Sequence, residues 1–428
     1  MQFTNQINKE WNNLSRNIKM FFLANVLFQI GGGMFSVLYN LFIQSLGYGD
    51  DMNGNIVSVQ SLATALMIIP VGLIGDRASR KRLLIVGALF TGLAYIGRSF
   101  LESGFSLLAL SVFSGVFASI FQVLSIPFLA ENVPSAQRLR IFSYHSSLVL
   151  ASQVIGSVGG GTLADLLQSL GMSRISSLQI VLTIGSIATL AAFIPLMLIT
   201  ESAKETKQSN QTTGHTAHSK IAVRHLKSDY ITIGRFALVN LIIGIGSGLV
   251  IPYLNLYFTN RFSVSLSAVG LLISLGQIMT IISMLIGPSL ASRIGPVKAI
   301  VCFQLLSLPF LLLTGFTNIL AIAAVSFLFR QALMNAANPI QSTVLIDRVS
   351  ESSRGIANSM TQTAFTLGWA FMGPVQSYLI MNHGSYWGYA ITFSITGTLY
   401  VFGSILYYVM FRERRLPKWS GSQTNEFE

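Results

Sequence analysis

Charge is what this chain has least of. Only 10% of its 428 residues are Asp, Glu, Lys or Arg, while 52% are hydrophobic. Soluble domains carry about a quarter charged residues, so this composition cannot cover a water-facing surface, and most of the surface must meet lipid. Cysteine is nearly absent: Cys302 stands alone, inside an apolar run, which excludes an intrachain disulfide and reads as a small packed residue. Acids are scarcer than bases, 15 against 27, and every Asp and Glu falls in a loop, a tail or the end of an apolar run. Three of the five histidines (His215, His218, His225) share one polar stretch without a neighbouring cysteine or an i, i+4 histidine pair, so no metal site is expected. No nucleophile–base cluster and no phosphate-cradling loop appears. The chain is therefore expected to be no enzyme and to need no cofactor.

What the chain has in abundance is long apolar runs. Twelve are long enough to cross a bilayer: 18–45, 54–75, 83–101, 105–130, 140–165 and 175–199, then 233–258, 266–291, 296–316, 318–346, 355–381 and 385–411. A polar stretch, 200–232, divides them into two sets of six, with short polar ends at 1–17 and 412–428. The first run is too long for the apolar core of a signal peptide and is expected to stay as a membrane helix. Loops alternate in charge. Lys9, Arg16, Lys19, Arg77, Arg80, Lys81, Arg82, Arg138 and Arg140 share one side with Arg293, Lys298, Arg348, Arg354, Arg412, Arg414, Arg415 and Lys418, whereas the other side holds little beyond Arg174 and Arg261. The positive-inside rule then places both termini and the central linker in the cytoplasm of a multi-pass protein of the cell membrane. The net charge of +12 is thus a topology signal, and no nucleic-acid partner is expected.

The two sets of six repeat one another at a spacing of about 216 residues. Asp76-Arg77 aligns with Ser292-Arg293, the Glu131/Arg138 pair with Asp347/Arg354, and Ile30-Gly31-Gly32-Gly33 with Ile245-Gly246-Ser247-Gly248. Duplicated membrane bundles commonly place a solute site at the interface of their halves.

The loop between spans 2 and 3 reads Gly72-x-x-x-Asp76-Arg77-x-Ser79-Arg80-Lys81-Arg82. It resembles the signature loop of the major facilitator superfamily, Gly-x-Leu-x-Asp-Arg-x-Gly-Arg-Arg, with Ser79 in place of the second glycine. The resemblance extends over the whole chain through the twelve spans, the mid-chain linker and the weaker second copy of the loop. It implies an all-α membrane protein of twelve transmembrane helices in two pseudo-symmetric six-helix bundles. In that family the loop's aspartate latches the bundles on the cytoplasmic side against the start of helix 11, which here would be Arg354 and the backbone from Gly355 onward. A carboxylate there suits the unpaired amides and dipole of a helix N-terminus. Ser292 replaces the acid in the second copy, so the matching latch should be weaker. Gly72, Asp76, Arg77, Arg80, Lys81, Glu131, Arg138, Arg293, Asp347 and Arg354 form the candidate cytoplasmic gate, with the two acid–arginine pairs read either as switching ion pairs or as inert surface pairs.

Glycines cluster inside the spans, at Gly31–Gly33, at Gly156 and Gly159–Gly161, and at Gly244, Gly246 and Gly248, where they serve tight packing or flexing. Gly156-Ser157-Val158-Gly159-Gly160-Gly161 is similar to the antiporter segment Gly-Pro-x-x-Gly-Gly of the superfamily, with Ser157 where proline is expected and Ser152 for the upstream glycine. It favours exchange or export.

Arg330 lies about eleven residues inside span 10, where an arginine is costly unless it meets a partner or a wet cavity. In the superfamily, helices 1, 4, 7 and 10 line the central cavity, which makes Arg330 a candidate for an anionic group; an internal structural pair is the other reading. Arg98, near the end of span 3, is expected to snorkel or to pair with Glu102. Amides on the cavity helices, Asn25, Gln29 and Asn40, Gln122, Asn240 and Asn255, and Gln331, Asn335 and Asn338, suit a polar organic solute. Tyr39, Tyr253 and Tyr257 could flank it. Candidate proton carriers are Glu131, His145, Asp165 and Asp347. The absence of a mid-span acid argues against a simple cation exporter.

The resulting expectation is a monomeric secondary transporter in the lipid bilayer, working by alternating access. It would move a small-molecule substrate, with or without a coupled proton, in gradient-driven efflux or antiport. An importer or facilitator of an organic anion is the alternative within transport; a lipid flippase or a non-transporting sensor is the alternative outside it.

Overall fold

The computed structural model describes residues 14–134, 137–200, 219–350 and 353–412. Most of the central linker, His215 and His218 included, lies outside that set. Six helices form the first bundle: α1 (Arg16–Ser45), α2 (Asp50–Arg77), α3 (Arg80–Phe100), α4 (Gly104–Asn132), α5 (Arg138–Ser169) and α6 (Arg174–Met197). The second begins with α7, which runs as Ser219–Val250, passes a 3-10 turn at Ile251–Tyr253 and resumes as Leu254–Phe262. Then follow α8 (Leu266–Ile294), α9 (Pro296–Phe316) and α10 (Leu320–Asp347).

The remaining helical stretch, Arg354–Phe411, is 58 residues long. At about 1.5 Å per residue it would span nearly three hydrocarbon cores of about 30 Å. It does not run straight. Gly384 has φ 72° and ψ 175°, outside helical space, and divides the stretch into α11 (354–383) and α12 (385–411). Twelve crossings result, as the apolar runs require.

Serines set several of the boundaries. Ser15, Ser79, Ser103, Ser173 and Ser265 each accept a hydrogen bond from a backbone amide in the first turn of α1, α3, α4, α6 and α8. Ser79, the one departure from the signature loop, is thereby explained locally: it caps α3 by accepting from the amide of Arg82 at 3.2 Å.

Within the first bundle α1 packs on α5 and α6, and α4 on α2 and α3; within the second α7 packs on the α11–α12 stretch and α10 on α8 and α9. Between bundles, α2 meets α11 and α5 meets α8. These crossings are close because glycine permits it. A Cβ on Gly54 of α2 would lie 2.5 Å from the Gly373 carbonyl oxygen and 2.1 Å from Ser377 Oγ of α11. One on Gly161 of α5 would lie 2.4 Å from the Leu266 carbonyl oxygen of α8. Hydrogen bonds reinforce the α2–α11 crossing. Ser58 Oγ accepts from the Gly373 amide at 3.2 Å, and Ser377 Oγ donates to the Asp50 carbonyl at 2.6 Å.

These contacts cluster in the half of the molecule away from the basic loops, at the ends where α1, α5 and α7 finish and α2 and α8 begin. That end, the seal face, is closed in this conformation. The other end carries Arg80, Lys81, Arg82, Arg293 and Lys298 and is the basic face. Gly54→Val should therefore open the seal. With Cys302 replaced by serine and a single cysteine placed at Gln60, labelling by a membrane-impermeant thiol reagent from the seal face should rise several-fold over the Gly54 parent. Unchanged labelling would mean that the glycine contact does not hold the bundles together.

Candidate functional site

The interior is polar in two connected places. One cavity, about 440 Å³, lies against the second bundle and is lined by residues of α7, α9, α10, α11 and α12, among them Asn240, Gln304, Arg330, Gln331, Asn335, Asn338, Asn358, Thr361 and Tyr400. The second, about 370 Å³, lies between the bundles under the seal and is lined by Tyr39, Asn40, Gln60, Tyr95, Arg98, Asn255 and Gln277 among others. Ile251, Gln331 and Trp369 line both. Among the described lining residues of either cavity there is no Asp or Glu.

Arg330 is 4% exposed and points into the first cavity. Its Nη2 donates to the Tyr400 hydroxyl at 2.7 Å and its Nη1 to Gln331 Oε1 at 3.0 Å, while its Nε is buried without a partner. Asn240 and Asn335 each donate to the backbone carbonyl four residues earlier, and Asn338 donates to Asn335 Oδ1 at 3.1 Å, so their remaining valences face the cavity. Trp369 Nε1 donates to Ser247 Oγ at 2.7 Å, which fixes the indole as the floor between the two chambers.

Arg98 departs from expectation. It is 3% exposed and turned inward instead of snorkelling, and Glu102 is exposed at the end of α3. Both of its hydrogen bonds leave from Nη1, to Gln60 Oε1 and Ser114 Oγ, each at 3.0 Å. Its guanidinium carbon lies 3.9 Å from the Tyr39 ring centroid, with Tyr95 and Phe35 at 5.7 and 5.8 Å. Stacking in a desolvated site contributes about 2 kcal/mol and a hydrogen bond from a charged donor about 1.5–3 kcal/mol. Those gains exceed the cost of an arginine near a span end, which is below the roughly 2.5–3.5 kcal/mol of a helix centre. The Nε is again buried without a partner.

The expected cavity amides divide. Asn240, Gln331, Asn335 and Asn338 line the first cavity, Gln331 also the second, and Asn40 and Asn255 the second. Asn40 and Asn255 also seal it: Asn40 Nδ2 donates to the Pro252 carbonyl at 2.8 Å and to Asn255 Oδ1 at 3.3 Å, and Asn255 Nδ2 donates to the Val37 carbonyl at 2.8 Å. Asn25 belongs elsewhere, because its Oδ1 meets His145 Nε2 at 3.2 Å inside the first bundle and that imidazole stacks on Phe21. Gln29 accepts from Gln153 at 2.9 Å, and Gln122 is exposed on α4; neither lines these two cavities. Tyr39 does line the second cavity, whereas Tyr253 and Tyr257 are core residues, the latter donating to the Thr314 carbonyl. The family resemblance identifies a cavity helix but not its rotation: Asn25 and Gln29 face α5, and Gln122 is exposed.

The gate residues are also redistributed. Glu131 forms an ion pair with Arg80 at 3.0 Å inside the first bundle, and Arg138 Nε donates to the Val133 carbonyl at 3.3 Å. Arg80 further donates to the carbonyls of Gly75 and Pro127. Arg77, Arg293, Asp347 and Arg354 are exposed, Gly72 and Lys81 half-buried, and the Asp76 side chain lies outside the described residues. An acid not singled out in the sequence, Asp229, accepts from the Ser350 amide and hydroxyl at the basic face.

Asp165, an expected proton carrier, sits in the seal. Its carboxylate accepts from the Leu266 amide at 3.3 Å, the Ser267 amide at 2.8 Å and the Ser267 hydroxyl at 2.5 Å. It thus caps α8 from the opposite bundle, where free amides and the dipole favour negative charge. A cap of this kind is worth about 0.5–2 kcal/mol. Asp165→Ala should shift the population toward a separated seal face by roughly two- to thirty-fold. Pulsed EPR distances between labels at the facing ends of α5 and α8 would report it, and an unchanged distribution would remove Asp165 from the seal.

Two six-helix bundles meeting at a polar chamber, sealed at one face, define a membrane carrier. The family model of the Major Facilitator Superfamily matches residues 21–239 and 236–427, so the chain belongs to that superfamily. It is 22% identical over 366 residues to the uncharacterized MFS-type transporter MJ1560 of Methanocaldococcus jannaschii, covering 85% of this chain and 90% of that protein. It is 23% identical over 373 residues to the multidrug resistance protein MdtG of Escherichia coli, covering 86% of each. Among solved structures, a bacterial homologue of the human lysosomal transporter Spinster superposes with a TM-score of 0.74 at 16% identity, covering 92% of this chain and 95% of that one.

Proposed function

We propose that this secondary transporter carries a small organic anion by alternating access in the cell membrane, with efflux or exchange as its working direction. Arg330 carries this reading. A fully charged guanidinium at mid-span is bonded only to a phenol and an amide, in a cavity whose described lining holds no carboxylate. A structural arginine would be neutralised by the fold; this one keeps its charge for something that enters. The name of the relative MdtG supports the outward direction.

The basic loops support a cytoplasmic basic face and cytoplasmic termini. On that orientation the sealed face is external and the conformation inward-facing. The glycine segment of α5 then acts at the external closure, through Gly161 against α8.

In a thermal-shift screen of the purified protein against organic anions, cations, sugars and lipids, anions should raise the melting temperature. Arg330→Ala should abolish that shift, and Arg330→Lys should retain part of it. Stabilisation by hydrophobic cations that ignores the mutation would overturn the anion reading. Direction is read separately, by counterflow in vesicles of known orientation.

A further inference from the structure

The second buried arginine carries the reading of an organic-anion site further. Arg98 and Arg330 lie on opposite bundles, yet the chambers they line share Ile251, Gln331 and Trp369. Their placement is also related by the internal repeat. Ser114 occupies the position 216 residues before Arg330, and Arg98 Nη1 lies 3.0 Å from Ser114 Oγ. Each bundle therefore brings a guanidinium to the corresponding place, one from α10 directly and one from α3 onto α4.

Among the described lining residues, neither charge meets a carboxylate. Each guanidinium has five donors, and the two hydrogen bonds of each leave its Nε buried without a partner. A single carboxylate in the Arg330 chamber would neutralise one cation and leave the other in a low-dielectric interior. Resting on the organic-anion reading, we propose that the substrate is a dianion: an apolar spacer carrying two acidic groups, one held by Arg330 of the second bundle and the other by Arg98 of the first. The spacer passes over Ile251 and Trp369, the apolar residues common to both chambers. The rings of Phe35, Tyr39 and Tyr95 stack on or flank Arg98 and fix its position, so it is presented without being neutralised. Because the two anchors sit on different bundles, a bound dianion draws the bundles together, whereas a monoanion leaves them apart.

The test uses the full-length wild-type protein and a series of straight-chain α,ω-dicarboxylates, each paired with its mono-methyl ester, with affinity and stoichiometry measured by titration calorimetry. At one spacer length the dicarboxylate should bind about 10- to 100-fold more tightly than its half-ester, at one molecule per protein. That factor corresponds to one further charge-assisted hydrogen-bonded contact. Arg98→Gln should reduce the dicarboxylate to half-ester affinity. Equal affinities across every pair, or two half-ester molecules per protein, would overturn the proposal without any variant having to fold. So would a dicarboxylate affinity indifferent to Arg98→Gln. Tight dicarboxylate binding that needs Arg330 and ignores Arg98 would sink the dianion and spare the organic-anion reading; no binding by either partner of any pair would sink both.

Discussion

A guanidinium does not give up its proton inside a protein, so every arginine that a fold takes out of water remains a charge to be accommodated. Among the described residues, two buried arginines are accommodated without carboxylates. Around Arg98 stand an amide, a hydroxyl and the face of Tyr39; around Arg330, an amide and a phenol. At an effective dielectric of about 20, an acid 4 Å away would contribute about 4 kcal/mol to either arginine. That gain would be taken from any anion entering the chamber. Neutral partners hold the side chains in place and leave the positive potential intact, which is the arrangement expected of a site and not of a scaffold.

The seal governs how that potential is reached. α7 breaks at Ile251–Tyr253, where Pro252 has no amide hydrogen to donate. The break releases a carbonyl that Asn40 takes from the opposite bundle. The same residues therefore close one face and line the chamber below it. Glycine contacts at Gly54 and Gly161 bring α2 to α11 and α5 to α8 close enough for serine hydroxyls and the Asp165 carboxylate to bridge them. Each bridge is a weak, local bond at a helix end or a backbone carbonyl. A closure built from such bonds can be undone in steps, which suits a face that must open and close repeatedly.

Much of this was legible beforehand. Twelve apolar runs gave twelve crossings, with α11 and α12 separated at Gly384, because length and hydropathy decide insertion without reference to neighbours. Arg330, Asn240, Gln331, Asn335 and Asn338 line the first cavity, on two of the helices that the family resemblance places around it. Rotation about the helix axis was not legible. Asn25 and Gln29 lie on the same helix as Asn40, yet they face His145 and Gln153 within the first bundle. Nor was the difference between an acid that carries a proton and one that caps a helix. Asp165 becomes a cap only because the start of α8, about a hundred residues later, arrives beside it.

Arg98 shows most clearly what sequence position conceals. Two residues from the end of its helix, it has the location of a snorkelling side chain, and Glu102 offers an obvious surface partner. The repeat register strengthens that misreading, since it pairs Arg330 with Ser114 and so suggests that the first bundle has lost its cation. In three dimensions the charge has moved to a neighbouring helix instead of disappearing. The packing of α3 on α4 carries the guanidinium of Arg98 to the hydroxyl of Ser114. What the two halves share at this depth is the place of a positive charge, not the helix that supplies it. A duplicated fold can keep its electrostatic symmetry in this way while its aligned residues differ, because the field in the chambers depends on where the charges lie and not on which helix carries them.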